Sequence, residues 1–290
     1  MIKKRVLILG SSGLLGSSLA PFFKSEGLVV YTHSGHSKTD FVGDIRDIDF
    51  VKNMLVIANP DVIVNLVGLT NVDQCELEPE LAEQLNAISV KNIVIALQEN
   101  TKVHLVHIST DQVYEGEGNH SEENFSLQNI YAQSKYRGEL FALEYKKATI
   151  LRTNFFGKSL SEKKISFSDW LVNSFLEKKE ITLFDDVIFS PLSMQSLAKL
   201  ILLIIEKPKY GVFNLGSHDG MSKKDFAFKL AETLNLNIDN AKIGSIEDVK
   251  LEAYRPKNMS MKYDLFENAY SIKLPTLDNE IKSLKETYNV

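Results

Sequence analysis

Two residues four positions apart, Tyr131 and Lys135 in the segment YAQSK, have the types and spacing of a proton-transfer pair. On a helix, this spacing puts both side chains on the same face. A tyrosine hydroxyl has an unperturbed pKa of about 10, and a close ammonium lowers that pKa by favouring the ionised form. We therefore expect the pair to exchange a proton with an alcohol or a ketone.

A threonine earlier in the chain completes this predicted catalytic group. The segment ISTDQVY places Thr110 and Asp111 at the end of an apolar run. Ligands collect at the carboxyl ends of the strands in open α/β sheets. The Thr110 hydroxyl can donate a hydrogen bond to the oxygen that Tyr131 would protonate. A Tyr and a Lys at this spacing are usually a surface pair, but the order of Thr110, Tyr131 and Lys135 favours catalysis.

A glycine-rich segment near the start of the chain, GSSGLLG, predicts a dinucleotide site with GxxGxxG spacing. Gly10 permits the tight turn, Gly13 lets the backbone approach a pyrophosphate, and Gly16 lets the following helix pack on the strand. The helix N-terminus then faces the anion. We assign the residues of this turn to the cofactor: Gly10, Ser12, Gly13, Leu14, Leu15 and Gly16.

The end of the second predicted strand bears on which cofactor binds. NAD sites usually place a carboxylate there, on the ribose hydroxyls, but this chain reads YTHSG. His33 and Ser34, with a histidine and a lysine shortly after, fit the extra phosphate of NADP better than the ribose of NAD. An ordinary polar loop and use of NAD(H) both remain open. Asp44 and Ile45 are expected at the adenine, with Asp44 accepting from its amino group.

The segment NLVGLTNVD adds a third set of candidate residues. Leu66, Val67 and Gly68 end a buried strand where small side chains would admit the cofactor. Thr70 and Asp73 begin the next loop and are assigned to the substrate, although Asp73 is equally suited to start a helix.

Alternating strands and helices must position these groups. Apolar runs without polar alternation predict strands covered on both faces, at Arg5–Leu9, Leu28–Thr32, Asp61–Leu66, Val103–Ile108 and Thr149–Leu151. Helical patterns separate them at Leu14–Glu26, Asp47–Ala58, Pro79–Glu99 and Tyr131–Lys146. This alternation predicts an α/β fold with a doubly wound parallel (Rossmann) sheet.

We expect residues 1–156 and about 186–206 to form the dinucleotide-binding domain. Residues from about 157 to 185 and 207–290 are expected to form a smaller C-terminal α/β substrate lobe.

Composition excludes several other classes of protein. The formal net charge of −5 is unsuited to wrapping nucleic acid. The apolar run LAKLILLIIE is too short to cross a bilayer, so no membrane partner is predicted. Cys75 is the only cysteine, which fits a reducing cytoplasm, and no ligand set predicts a metal.

The motifs together resemble the extended short-chain dehydrogenase/reductases and, within them, the dTDP-4-dehydrorhamnose reductases. The resemblance covers nearly the whole chain and includes the glycine turn, NLVGLTNVDQCELEPE, LNAISV, HISTDQVY, YAQSK, LRTNFFG and RPKN. It implies reduction of a nucleotide-linked sugar ketone with NADP(H) or NAD(H). Tyr131 would donate the proton, Lys135 would hold the ribose and lower the tyrosine pKa, and Thr110 would polarise the carbonyl. A homodimer is a family expectation.

The predicted sugar site departs from the family pattern. Phe155 stands where these reductases carry a tryptophan, DVIFSPL keeps only Asp186 and Pro191 of their DQxGxPT segment, and Met259 replaces a serine. The reaction type is therefore better defined than the sugar. The residues assigned to the substrate, including Arg255 whose planar fork suits a diphosphate, are Thr70, Asp73, Thr110, Asp111, Gln112, Asn154, Phe155 and Arg255.

Three alternatives share this core. A 4,6-dehydratase needs a glutamate where this chain has Gln112, and an amide cannot shuttle a proton, so dehydration is disfavoured. A 4-epimerase uses the same Tyr and Lys and remains open. A non-catalytic NADP-binding subunit, like the regulatory subunit of methionine adenosyltransferase, also remains open.

Overall fold

The structure is a computed structural model that describes residues 3–98 and 101–288. Its strands are β1 Arg5–Leu9, β2 Val29–Ser34, β3 Phe41–Val42, β4 Val62–Asn65, β5 His104–Ile108, β6 Ala148–Thr153, β7 Phe155–Phe156, β8 Ile181–Phe184, β9 Ile188–Phe189, β10 Leu192–Ser193, β11 Gly211–Leu215, β12 Met221–Ser222 and β13 Ala241–Gly244. Its α-helices are α1 Leu14–Ser25, α2 Ile48–Ala58, α3 Val72–Leu77, α4 Pro79–Glu83, α5 Ser89–Leu97, α6 Ile130–Leu143, α7 Phe167–Leu176, α8 Met194–Glu206, α9 Lys223–Leu234, α10 Asp264–Tyr270 and α11 Leu277–Lys282.

Within the described residues, seven strands form one sheet in the order β11-β6-β5-β4-β1-β2-β3. Every pairing in this sheet is parallel. The strand order reverses between β1 and β4, and such a reversal opens a crevice at the carboxyl ends of the strands. The predicted doubly wound parallel fold is therefore confirmed.

Helices cover both faces of the sheet, as the uninterrupted apolar strands require. One buried cluster joins the sheet to α1, α8 and α10 through Leu19, Ile201 and Phe266. The other joins it to α2 and α5 through Met54 and Ile93. The long helix predicted at Pro79–Glu99 is broken, because a π-helical turn at Gln84–Ile88 separates α4 from α5. Glu99 lies outside the described residues.

The smaller lobe has an apolar cluster of its own. Strands β8 and β13 pair in parallel, β9 and β12 pair antiparallel, and α7, α9 and α11 pack beside them. Leu171, Phe226 and Ile281 are among the buried side chains of this cluster. The chain enters this lobe after β6 and β7.

The sheet includes a strand that the sequence did not indicate. The expected lobe of 207–290 contains β11, but β11 pairs with β6 in the main sheet, and Phe266 of α10 packs on that sheet. Residues 211–215 and α10 therefore lie with the dinucleotide half. As expected, α8 packs against the sheet, whereas Val187 and Phe189 belong to the lobe cluster. The rest of the proposed division into two domains stays a prediction.

Candidate active site

A cleft of about 530 Å³ opens at the carboxyl ends of β1, β4 and β5. It brings together residues that are far apart in the chain, including the glycine turn, the end of β5 and the start of α6. The sequence-predicted residues that line it are Gly10, Gly13, Leu14, Leu15, Gly16, Leu66, Gly68, Thr70, Thr110, Asp111, Gln112, Tyr131, Lys135, Asn154 and Phe155.

Helix α6 carries the predicted proton-transfer pair. Asn129 caps the helix by accepting a hydrogen bond from Ala132 N, which fixes the first turn where Tyr131 lies. Tyr131 and Lys135 are only 8% and 5% exposed. Burial raises the pKa of Tyr131, and hydrogen bonding to Thr110 opposes that shift. The lowering of the Tyr131 pKa that Lys135 is expected to cause stays a prediction.

Lys135 is held by the strand beside it. Its Nζ donates a hydrogen bond of 2.6 Å to Ile108 O at the end of β5. Burial lowers the pKa of Lys135 to about 8, and the nearby charge of Glu139 opposes this shift. The Lys135 ammonium is therefore easier to deprotonate than that of an exposed lysine.

The loop after β5 presents two further polar groups to the cleft. The Thr110 hydroxyl accepts a hydrogen bond from Gln112 N, so a short 3₁₀ turn fixes its position. Asp111 is buried, and Asn154 Nδ2 donates to it over 2.9 Å. Burial raises the pKa of Asp111 to about 6, against the effects of Asn154 and Lys223.

The glycine turn has the features that a dinucleotide phosphate requires. Gly10 adopts a positive φ of 79°, and a Cβ at Gly16 would lie 2.6 Å from Gly10 O, so the helix approaches the turn closely. No side chain caps the N-terminus of α1, and this end of the helix lines the cleft. Its unpaired N–H groups suit an anion, so these residues fit the pyrophosphate of NADP or NAD. Ser12 is exposed in the same turn, and its carbonyl accepts from Ser161.

Two residues assigned to the NADP phosphate do not reach the cleft. His33 and Ser34 are 1% and 2% exposed, because strand β3 pairs with them at the edge of the sheet. His33 Nε2 contacts Gly43 O, and the Ser34 hydroxyl donates to Ser37 O. In this structure these two side chains stabilise the loop after β2, and their assignment to the phosphate stays a prediction.

The side chains assigned to the adenine also contact neighbouring residues of the protein instead of the cleft. The Asp44 carboxylate holds the Arg46 guanidinium, with an Nη2–Oδ2 distance of 2.5 Å, and it accepts from Arg46 N. This pairing lowers the pKa of Asp44. Ile45 is buried in the core against α2. Neither side chain lines the cleft that the structure shows.

Of the residues predicted at the end of β4, some line the cleft and others do not. Val67 N donates to Asn65 Oδ1, and the Val67 side chain packs behind the glycine turn rather than lining the cleft. Gly68 does line it, and a Cβ there would lie 2.8 Å from Asn86 Oδ1. Asn86 is fully buried and donates to Ser134 of α6, one residue before Lys135. It occurs in the LNAISV segment but was not assigned to the site.

Asp73 and Arg255 pair with each other instead of facing the cleft. Their side chains are 2.9 Å apart, and Asp73 Oδ1 also accepts from Glu252 N and Ala253 N. These contacts fix the segment before RPKN against α3. The Arg255 charge is therefore already balanced by a carboxylate.

Several residues of the cleft carry no signal that sequence reasoning could use. Lys164 and Ile165 enter it from a polar loop with no periodic pattern, and Phe167 enters it from the first residue of α7. Lys223 lies 5.4 Å from the Phe167 ring, and its charge acts on Asp111. Only the folded lobe brings them to the end of β5.

The described residues hold neither a metal-binding cluster nor a membrane-spanning helix. Among residues 3–98 and 101–288, no three His, Cys, Asp or Glu side chains are grouped to hold a metal ion. In the same part of the chain, every helix is too short or too polar to span a bilayer.

Comparisons with known proteins agree with this geometry. The chain is 27% identical over 299 residues to dTDP-4-dehydrorhamnose reductase of Escherichia coli, covering 96% of each chain. It is 24% identical over 295 residues to a probable low-salt glycan biosynthesis reductase of Haloferax volcanii, covering 97% of each. A crystal structure of dTDP-4-dehydrorhamnose reductase from Bacillus anthracis str. Ames in complex with NADP superposes with a TM-score of 0.90 at 28% identity, over 99% of this chain and 100% of that one. The model of the family described as RmlD substrate binding domain matches residues 4–290, and the chain belongs to that family.

Proposed function

We propose that this chain is an NADP(H)-dependent oxidoreductase that reduces the ketone of a nucleotide-linked 4-keto-deoxysugar, as dTDP-4-dehydrorhamnose reductases do. This reaction would be a step in the biosynthesis of rhamnose or of a related sugar of surface polysaccharides. The observation that carries the proposal is that one cleft holds Thr110, Tyr131 and Lys135 beside an uncapped helix N-terminus. NAD(H) is the second candidate cofactor, since the pyrophosphate site is common to both.

The side chains divide the work as follows. When bound, the nicotinamide supplies the hydride. Tyr131 is protonated at neutral pH because burial raises its pKa, and it donates its proton to the substrate carbonyl oxygen. The Thr110 hydroxyl donates a hydrogen bond to that oxygen. The Lys135 ammonium, one helical turn from Tyr131, stabilises the negative charge left on the phenolate.

The other groups of the cleft orient the sugar. Asp111 and Asn154 are hydrogen-bonded to each other and offer polar atoms beside Thr110. Phe155 offers an aromatic face. Gln112 lines the same cleft, and its amide cannot act as the additional acid or base that dehydration requires.

The test is NADPH oxidation, followed at the nicotinamide absorbance, with dTDP-4-dehydrorhamnose as substrate and Tyr131→Phe as the variant. We expect turnover in the wild type and a loss of about 10²–10⁴-fold in the variant, with NADPH binding retained. An inverted sugar formed without net NADPH oxidation would identify an epimerase. Tight NADPH binding without any turnover of ketosugars would indicate a binding subunit.

We further propose a cytoplasmic homodimer. The buried free thiol of Cys75 is compatible with a reducing compartment. Light scattering of the purified chain tests the assembly, and a monomeric mass at micromolar concentration would refute it. Cell fractionation tests the location.

A further inference from the structure

A buried ion pair lies directly behind the proposed catalytic residues. Glu139 and Arg152 are 1% and 2% exposed. The Glu139 carboxylate accepts from Arg152 Nε at 3.0 Å and from Nη2 at 2.7 Å. Glu139 follows Lys135 by four residues and Tyr131 by eight, so the three side chains lie along one face of α6.

This carboxylate joins three elements of the site. The Ser109 hydroxyl, next to Thr110 at the end of β5, donates a hydrogen bond to Glu139. Arg152 belongs to β6, and its Nη1 donates to Tyr114 OH and to Glu122 O. Tyr114 OH in turn donates to Asn214 of β11. The network is thus satisfied at each of these groups and runs from the catalytic helix across the sheet.

Stability alone is a poor explanation for such a pair. Replacing a buried ion pair by well-packed apolar side chains is often neutral or stabilising, because desolvation offsets the attraction between the charges. A fully satisfied polar network does fix geometry. We propose that Glu139 is a positioning residue of the active site, whose carboxylate sets the catalytic helix against the strand end that carries Thr110. The proposal rests on the function proposed above.

The same carboxylate acts on the charge of Lys135. The titratable groups that face Lys135 are Tyr131 and Glu139 on α6 and His107 on β5, with Arg152 behind Glu139. Burial, and then the Lys135 charge, lower the pKa of His107 far below its usual range, so His107 is neutral. Glu139 is the group that raises the pKa of Lys135. Removing its charge while Arg152 stays charged must lower that pKa further.

The experiment compares Glu139→Gln with Glu267→Gln. Glu267 is an equally enclosed carboxylate, 5% exposed, paired with His218 and Lys273 at 2.7 Å each, outside the cleft. The titration of Lys135 is read by ¹³C NMR of lysine-labelled protein, with the signal assigned by Lys135→Arg. We expect the Lys135 pKa to fall by roughly one unit in Glu139→Gln and to be unchanged in Glu267→Gln.

Kinetics provide the second measurement. In Glu139→Gln, kcat is expected to fall roughly tenfold with little change in the Kd of NADPH, since a small displacement of catalytic groups affects chemistry more than binding. The decline of kcat with rising pH should begin at lower pH than in the wild type. A Glu139→Gln protein that matches Glu267→Gln in the Lys135 titration and in kcat would overturn the proposal.

A second, milder variant tests the proposal if the Glu139→Gln protein does not fold. Ser109→Ala removes one contact to Glu139 and leaves the ion pair. We expect it to lower kcat about threefold with unchanged NADPH binding, and wild-type kcat would overturn the proposal. If the wild type has no reductase activity, the proposed function fails, and the NMR titration decides the role of Glu139 by itself.

Discussion

The close approach of α1 to the glycine turn leads to a quantitative prediction for Gly16→Ala. A Cβ at Gly16 would lie 2.6 Å from both Gly10 O and Ser11 Cα, whereas ordinary contact begins at 3.4 Å. These are backbone atoms, so no side chain can turn away. The helix must therefore retreat by about 0.8 Å, the difference between 3.4 and 2.6 Å.

Two opposing effects set the change in stability. Overpacking of this kind costs about 1–3 kcal/mol, whereas Ala is favoured over Gly inside a helix by about 1 kcal/mol. The free energy of unfolding should thus fall by at most about 2 kcal/mol. The retreat displaces the N–H groups that would face the pyrophosphate, and losing one hydrogen bond to a charged group costs about 1.5–3 kcal/mol. We expect the Kd of NADPH to rise about tenfold to a hundredfold.

The assay is fluorescence titration of NADPH, together with urea unfolding without cofactor. Gly216→Ala is the matched control, because a Cβ there would lie 2.4 Å from Ser190 O, away from the glycine turn. This control should lose stability and bind NADPH normally. An unchanged NADPH Kd in Gly16→Ala, at any loss of stability, would refute the argument that this glycine positions the helix for phosphate.

Three other substitutions test the packing of the site. Arg152→Met leaves the Glu139 carboxylate buried without its partner, so urea unfolding at pH 7 should show a loss of about 3–5 kcal/mol, and a loss under 1 kcal/mol would contradict this. Asp111 has a folded pKa of about 6, above its unfolded value, so its contribution to stability is present at low pH and is lost as the pH rises through 6. Asp111→Asn should therefore be more stable than the wild type at pH 8 by up to about 3 kcal/mol, with the difference vanishing near pH 4, and a constant difference would exclude this cause. Asp73→Asn removes the charge that pairs with Arg255 outside the cleft, so it should lower the free energy of unfolding by no more than about 1 kcal/mol and leave the KM for the sugar unchanged. A several-fold change in that KM would contradict the placement of the pair outside the cleft.

The first half of the fold was predictable because its strands are buried on both faces. Arg5–Leu9 matches β1 at both ends, and Ala148–Thr153 extends the run expected at Thr149–Leu151 by only a few residues. Strand β11 was not predicted. Its sequence GVFNL is short, contains an asparagine, and follows the lobe, so periodicity cannot tell where it pairs. Only the contact with β6 decides this.

The residues of the candidate site also differ in whether local sequence patterns or distant contacts place them. Thr110, Tyr131 and Lys135 were predictable since a strand end and one helical turn place them, and both are local properties of the sequence. His33 was assigned to the cofactor because a polar residue at a strand end is usually open to ligands. Here the two-residue strand β3 pairs beside it at the edge of the sheet, and nothing in the polarity of the segment indicates that pairing.

Glu139 was only partly predictable from the sequence. Its spacing from Tyr131 and Lys135 is written in the sequence, but a glutamate on a helix is ordinarily taken to face water. Its burial follows from Arg152, which the chain supplies from the next strand and which binds it through two nitrogens. An interaction between two charged residues on neighbouring elements has no signature in either segment alone. The same reasoning explains why the residues that the lobe brings to the cleft, Lys164, Ile165 and Phe167, are the part of the site that sequence patterns predict least.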